Sequence, residues 1–164
     1  MFKVNDTVIY GSVGLCTVSE IKKIDFNGTE TEYYILLPEA NKSTIYVPRS
    51  KEDGRLRELL TKEEAQDLLS RAGSLEALWE QNNIARKMTF QEYMKTGNAL
   101  IIARILKGMY INSKERERQN KKIHVSDSKI TAEAERSLFG ELAKVLERTT
   151  EDIREEFYRR IAEE

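Results

Sequence analysis

Apolar and polar side chains alternate through the opening of the chain. Phe2 and Val4, then Val8 and Tyr10, share one side, Asn5-Asp6 interrupts them, and Gly11 and Gly14 close the run. A period of two predicts a half-buried strand, and two glycines spaced around Ser12 predict a turn that uses positive φ. Leu15 to Ile21, continuing through Lys22-Lys23-Ile24, predicts a second, partly alternating strand. Asn27-Gly28 then supplies the strongest short hairpin signal, because both central residues of a type I′ turn need φ above zero. The return strand runs from Glu32 to Leu37, Pro38 to Lys42 turns the chain, and Thr44-Ile45-Tyr46-Val47 is a short strand that ends at Pro48. Four or five short antiparallel strands in about 50 residues predict a small, strongly bent sheet, an SH3-like or Tudor-like half-barrel.

From residue 50 the alternation gives way to three- and four-residue spacing. Residues 50–60 read as a connector with Gly54 as its flexible point and Leu56 and Leu59 as anchors. Thr61-Lys62-Glu63-Glu64 is a capping box that starts a helix ending at Ala72-Gly73. Ser74 is placed to cap a short helix carrying Leu75, Leu78 and Trp79 on one side, and Thr89-Phe90-Gln91-Glu92 reads as a second capping box for a helix that stops at Thr96-Gly97. Asn98 can cap a long helix with Ile102, Ile105, Leu106 and Met109 on one stripe, turning polar at Asn112-Ser113. Ile123 to Asp127 reads as a loop. Leu138, Leu142, Val145 and Leu146 define a last long helix, and Thr149-Thr150-Glu151-Asp152 restarts it with Ile153, Phe157 and Ile161 at four-residue spacing. The fold class is therefore α+β, with a β domain over residues 1–55 and an all-helical domain over 56–164.

Composition narrows the function. The chain has 164 residues, 40% of them hydrophobic and 34% charged, which suits one medium domain or two small ones with modest cores. The opening is a strand rather than a targeting peptide, and no run of 18 apolar residues could span a bilayer, so a membrane is not an expected partner. A single cysteine, Cys16, can make no internal disulfide, which suits a reducing, cytoplasmic setting. Beside its apolar neighbours it reads as a small core hydrophobe, with a reactive thiol as the alternative.

Catalytic chemistry has little to build on. His124 is the only histidine, with no nucleophile or carboxylate at a spacing that makes a triad, and one His with one Cys does not make a zinc site. Neither a Walker loop nor a glycine-rich dinucleotide fingerprint occurs. The reading is a non-enzyme without cofactor, metal or small-molecule substrate.

Charge is the informative feature once divided by segment. Residues 86–122 hold 10 basic and 3 acidic side chains, against 7 and 11 over residues 123–164, in a chain of net charge −1. Such a surplus can neutralise duplex phosphates, or it can be a solvated face neutralised by the acidic helices that follow. Trp79 likewise admits two readings, as core beside Leu75 and Leu78 or as a wedge between base steps.

Several of these landmarks recur together in one family. The strand from Phe2 to Tyr10, the Gly14 turn, the Asn27-Gly28 hairpin, the Tyr46-Val47-Pro48 strand end, Lys95-Thr96-Gly97 and Leu138-Phe139-Gly140-Glu141-Leu142 resemble the CarD/CdnL family of bacterial transcription regulators, over the chain to about residue 148. The amino-terminal module of that family is similar to the RNA-polymerase-interaction domain of the transcription-repair coupling factor. The resemblance implies a Tudor-like domain that docks on the polymerase β subunit and a helical domain that contacts promoter DNA, in its minor groove and backbone, to stabilise the open complex. Its wedge tryptophan falls on Asn83, one turn after Trp79; its basic position is kept by Arg86, with Lys87 beside it; its polymerase-facing arginine falls on Tyr46. The expected polymerase contacts are thus Lys22, Lys23, Thr44, Tyr46 and Pro48, around a strand edge able to pair with a partner. The expected DNA contacts are Arg86, Lys87, Lys107, Lys114, Arg116, Arg118, Lys121 and Lys122. A partner-binding module without DNA contact is the rival reading.

Overall fold

Turn chemistry fixes the sheet. In the computed structural model, which describes residues 1–50 and 54–164, Asn27 (φ 52°) and Gly28 (φ 80°) form the tight turn between β2 (Gly14–Phe26) and β3 (Thr29–Pro38). β1 (Thr7–Tyr10) pairs with β2 through the turn of Gly11–Val13, where Gly11 and Gly14 both take positive φ. β4 (Ile45–Pro48) pairs with β3. A fifth strand, β5 (Leu56–Arg57), lies in the stretch expected to be a connector and pairs with β1, so the sheet passes the expected boundary at residue 55. Residues 51–53 of that connector lie outside the described residues. The antiparallel order β4-β3-β2-β1-β5 is that of an open sheet with β4 and β5 as edges.

The register explains which residues become core. Ser19 is an extra residue between the pairs Val18↔Leu36 and Glu20↔Ile35, and its hydroxyl donates to the Ile35 carbonyl at 3.1 Å. This bulge shifts the side-chain parity, so Ile21 rather than Glu20 follows Cys16 and Val18 onto the core face. Val8, Cys16, Val18, Tyr34, Leu36 and Val47 are buried there. Cys16 is a core hydrophobe, and burial, with the Glu39 carboxylate, pushes its thiol up to about 11, leaving it protonated near neutral pH. The expected strand over Phe2 to Val4 is a turn instead: the Lys3 amide donates to the Asp6 carboxylate at 2.8 Å, Asn5 sits at φ 76°, and Phe2 packs edge-on to Tyr34.

Capping residues set most helix starts. Thr61 caps α1 (Lys62–Ser70), Asn98 caps α3 (Ala99–Arg118) and Thr149 caps α5 (Thr150–Ala162), each accepting a first-turn amide at 3.1 Å. α2 (Asn83–Lys95) is capped by Asn82, at 2.9 Å from the Ala85 amide, so Thr89 lies inside the helix and starts nothing. α3 continues past Asn112-Ser113, because Lys114 with Glu117 and Glu115 with Arg118 form i,i+3 pairs and its terminal cations suit the helix dipole. It stops where Asn120 turns left-handed and the Lys121 and Asn120 amides donate to the Arg116 and Glu117 carbonyls. α4 (Val125–Leu146) begins at Val125, shortening the loop expected over 123–127.

No helix forms over residues 75–81. After a short 3-10 turn at Ala72–Ser74 the chain crosses α3, the Leu78 amide donating to the Arg104 carbonyl at 3.1 Å. Gly108 admits the Leu78 carbonyl where any Cβ would collide with it. Tertiary contact, not the Leu-Trp spacing, decides this stretch. Around α3 the helical core gathers Ile102, Ile105, Leu106 and Met109 with Leu138 and Leu142 of α4 and Ile153, Phe157 and Ile161 of α5, as their spacing predicts.

The sheet and the helices meet through two close turns. Gly97, at φ 68° between α2 and α3, lies so near Gly11 that a Cβ on it would stand 3.0 to 3.2 Å from the Gly11 backbone. Gly28 has the same backbone need but nothing within 4 Å. Gly28→Ala should therefore cost only the left-handed conformation, about 1–2 kcal/mol. Gly97→Ala should cost roughly a further 1–3 kcal/mol of overpacking. Denaturant unfolding of the two variants checks the difference; equal costs would mean that the turns do not meet.

Candidate functional site

Two surfaces follow from the expected contacts, one on the sheet and one at an end of the helices. On the sheet, register assembles the first. Glu20, Ile35 and Tyr46 form one row across β2, β3 and β4, and Lys22, Tyr33 and Pro48 form the next. These rows lie on the face opposite the sheet core, since the intervening row is Ile21, Tyr34 and Val47. The same face carries Leu15, which lies against Gly140 of α4, so the helices cover it at the β1 side and leave it open at β3 and β4. Tyr46 is 55% and Leu37 44% exposed there. Beyond β4 no strand follows among the described residues, so its outer edge can pair.

The expected contacts divide accordingly. Lys22, Tyr46 and Pro48 share the open face, and Thr44 is exposed just before β4. Lys23 is exposed but pairs with Glu32 in the neighbouring row, on the face where Arg49 bridges Glu32 at 3.0 Å and lies over the Tyr34 ring. Exposed Leu37, with half-buried Tyr33 and buried Ile35 on the same side of β3, was not among the expected contacts. Their signal was in the sequence: β3 alternates without a bulge, so Leu37 and Tyr33 fall opposite the core positions Tyr34 and Leu36.

At the helical end, the structure turns Arg86 inward. Its guanidinium is 1% exposed and holds Asp127, also 1% exposed, through Nε to Oδ1 at 2.9 Å and Nη2 to Oδ2 at 2.7 Å. Nη1 donates to the Glu80 carbonyl at 2.8 Å, Nη2 donates to Asn83 Oδ1 at 2.8 Å, and the Trp79 ring stacks on the group at 4.4 Å. A phosphate would find no free donor on it, which corrects the expectation that Arg86 faces DNA. Arg86 instead ties residues 79–83, α2 and α4 together.

Trp79 is held in the same cluster, stacked on Arg86 and edge-on to Phe90 at 6.5 Å, half-buried against the helical core. The core reading of Trp79 stands, on an extended segment rather than a helix. Asn83, at the place of the wedge, is exposed, and its Nδ2 lies 3.0 Å from His124 Nε2. Arg86 occupies the Asn83 oxygen, so the amide must donate here and His124 Nε2 must accept. Lys107 is also engaged: its ammonium caps the carbonyls of Gly73 and Leu75, the latter at 2.7 Å, and it is half-buried.

The remaining cations do gather. The Asn83–His124 contact brings the start of α2 to the turn between α3 and α4, so Lys87, Lys114, Arg116, Arg118, Lys121 and Lys122 lie at one end of the helical unit. Lys87, Lys121 and Lys122 are exposed, while Lys114 and Arg118 have carboxylate partners at 3.6 and 3.2 Å. Arg116 is half-buried and donates from Nε to the Lys122 carbonyl at 2.7 Å, which ties the turn down. Ile84 and Met88, 73% and 64% exposed, flank Lys87 on the outer side of α2. Among the described residues no group of three or more His, Cys, Asp or Glu could hold a metal ion, and no helix is long and apolar enough to cross a membrane.

A charged residue standing in register with an apolar stripe is the signal that sequence reasoning passed over. Arg86 precedes Phe90 and Met94 at four-residue steps, and Asp127 precedes Ile130 and Ala134, so both belong to buried faces. Arg86→Ala should therefore lower stability by about 3–5 kcal/mol, because it strands Asp127 in the core. Lys87→Ala should stay within about 0.5 kcal/mol. Chemical denaturation of both variants checks this; a stable Arg86→Ala protein would return that side chain to the surface.

Comparison with known families places the sheet. Residues 2–60 match the CarD-like/TRCF RID domain, a segment that takes in all five strands. No curated protein matches the chain.

Proposed function

From the CarD-like/TRCF RID domain that residues 2–60 form, we propose that this chain is a transcription regulator that docks on the β subunit of bacterial RNA polymerase. Through the helical unit behind that domain it contacts promoter DNA and shifts open-complex formation. One observation carries the docking half of the reading: a module of an RNA-polymerase-interaction family leaves Tyr46 and Leu37 exposed beside an open strand edge. An aromatic and an aliphatic anchor next to free main-chain groups suit a partner strand that pairs with β4 and seats its side chains against Tyr46, Leu37 and half-buried Tyr33. Lys22 borders that face and adds charge attraction at its rim.

The DNA half is supported by the basic end. Lys87, Lys121 and Lys122 are exposed there, as are the carboxylate-paired Lys114 and Arg118, with Arg116 half-buried. With Arg86 and Lys107 committed to internal bonds, the contact is to backbone phosphates and is weakly dependent on sequence. The same commitment favours a second reading, a polymerase-binding module whose helices touch no DNA.

Tyr46→Ala should reduce recovery of the polymerase β subunit in a pull-down by tenfold or more, whereas Lys23→Ala, on the other face, should reduce it little; equal recovery by the Tyr46 variant and wild type would remove the proposed face. If DNA is bound, Lys121→Ala with Lys122→Ala should flatten the plot of log affinity against log salt by about 0.9 for each phosphate no longer neutralised. An unchanged slope favours the second reading.

A further inference from the structure

Between the two surfaces lies a contact that belongs to neither. Arg57, on the edge strand β5, meets Glu141 of α4 in a two-bond fork, Nη2 to Oε1 at 2.6 Å and Nη1 to Oε2 at 2.8 Å. The Glu141 side chain is 2% exposed and that of Arg57 24%. Arg57 Nε also donates to the Gly97 carbonyl at 2.9 Å, and the Leu60 amide donates to Glu141 Oε2 at 2.8 Å. Three segments distant in sequence, the last strand, the α2–α3 turn and the later turns of α4, are thus fastened at one point. Beside it, Gly97 presses on Gly11, and a Cβ on Gly14 would stand 3.3 Å from Ser137 Cα.

We infer that Arg57 and Glu141 are positioning residues, a clamp that fixes the angle between the sheet and the helices so that docking on the polymerase determines where the basic end lies on DNA. The inference rests on the functional reading above. A fork of two parallel charge-assisted bonds fixes orientation as well as distance, which an apolar contact of equal size would not. With Glu141 buried and Arg57 largely so, the pair is screened by salt much less than a surface pair. Arg57 shares the non-core face with Leu15 but stands at the opposite edge of the sheet from Tyr46, under the helices, and neither residue is among the exposed lysines, so removing the clamp leaves both surfaces chemically intact. What changes is their relation. A basic end held at a fixed pose meets the DNA at high effective concentration once the sheet is docked, and a swinging one does not.

The test separates binding from positioning. Arg57→Met with Glu141→Leu removes the fork without stranding a buried charge, and Arg57→Lys keeps the charge without the fork. Three quantities are measured on the full chain: affinity for polymerase alone, affinity for duplex DNA alone, and the change in the fraction of open complex on a promoter. Both variants should bind each partner within about twofold of wild type, while the double variant should lose the effect on opening by tenfold or more and Arg57→Lys should lose part of it. Full effect in the variants overturns the inference, and so does loss of either binary affinity, which would make the pair merely structural. Should the double variant fail to fold, Arg57→Lys decides by the same criteria. A wild-type chain that itself leaves opening unchanged removes the functional reading and the inference with it.

Discussion

The buried pair of Arg86 and Asp127 is the constraint from which the rest of the molecule can be built. A guanidinium and a carboxylate that are both 1% exposed are tolerated only when every donor is answered, and Arg86 is answered by Asp127, Asn83, the Glu80 carbonyl and the Trp79 ring. Satisfying it gathers residues 79–83 around the guanidinium and holds α2 against α4. Once α2 is so placed, its far end delivers the Gly97 turn to the sheet, where Gly11 and Arg57 meet it. The Arg86–Asp127 pair thus holds one end of the helix whose other end meets the sheet, where the Arg57–Glu141 fork fastens the two together.

This arrangement gives the surface its division of labour. Several cations of the helical unit are spent on structure: Arg86 on Asp127, Lys107 on the carbonyls of Gly73 and Leu75, Arg104 on the Glu76 carbonyl. Those at its end, Lys87, Lys121 and Lys122, remain turned to solvent. The basic surplus over residues 86–122 is therefore smaller at the surface than in the sequence. On the sheet the helices cover one part of the non-core face and leave the part beside β4, so the proposed docking face is defined as much by what α4 reaches as by the strands themselves.

Much of this was legible in the sequence, for local reasons. Asn27-Gly28, Thr61, Asn98 and Thr149 act within a few residues of themselves, and the stripes of α3, α4 and α5 bury as their spacing requires. What was not legible depends on partners far along the chain. β5 is two residues long and exists because β1 offers an edge. Residues 75–81 are extended because Arg104 and Gly108 receive them. Thr89 had the pattern of a cap, but Asn82 had already started the helix. Arg86 was expected on DNA, and Arg57 and Glu141 had no assigned role until their partners were known. The first and last could have been flagged by their places on the apolar stripes of α2 and α4, whereas Arg57, at a strand edge, carried no such sign.

The central claim is that sheet and helices form one body with a docking face and a basic end in fixed relation. Its most direct test is the distance between spin labels at Lys23→Cys and Lys121→Cys, both exposed sites, in a protein whose own cysteine is buried and stays unlabelled. The account predicts a single narrow distance distribution in solution. A broad or two-peaked distribution would mean that the sheet swings on the helices, and would contradict it.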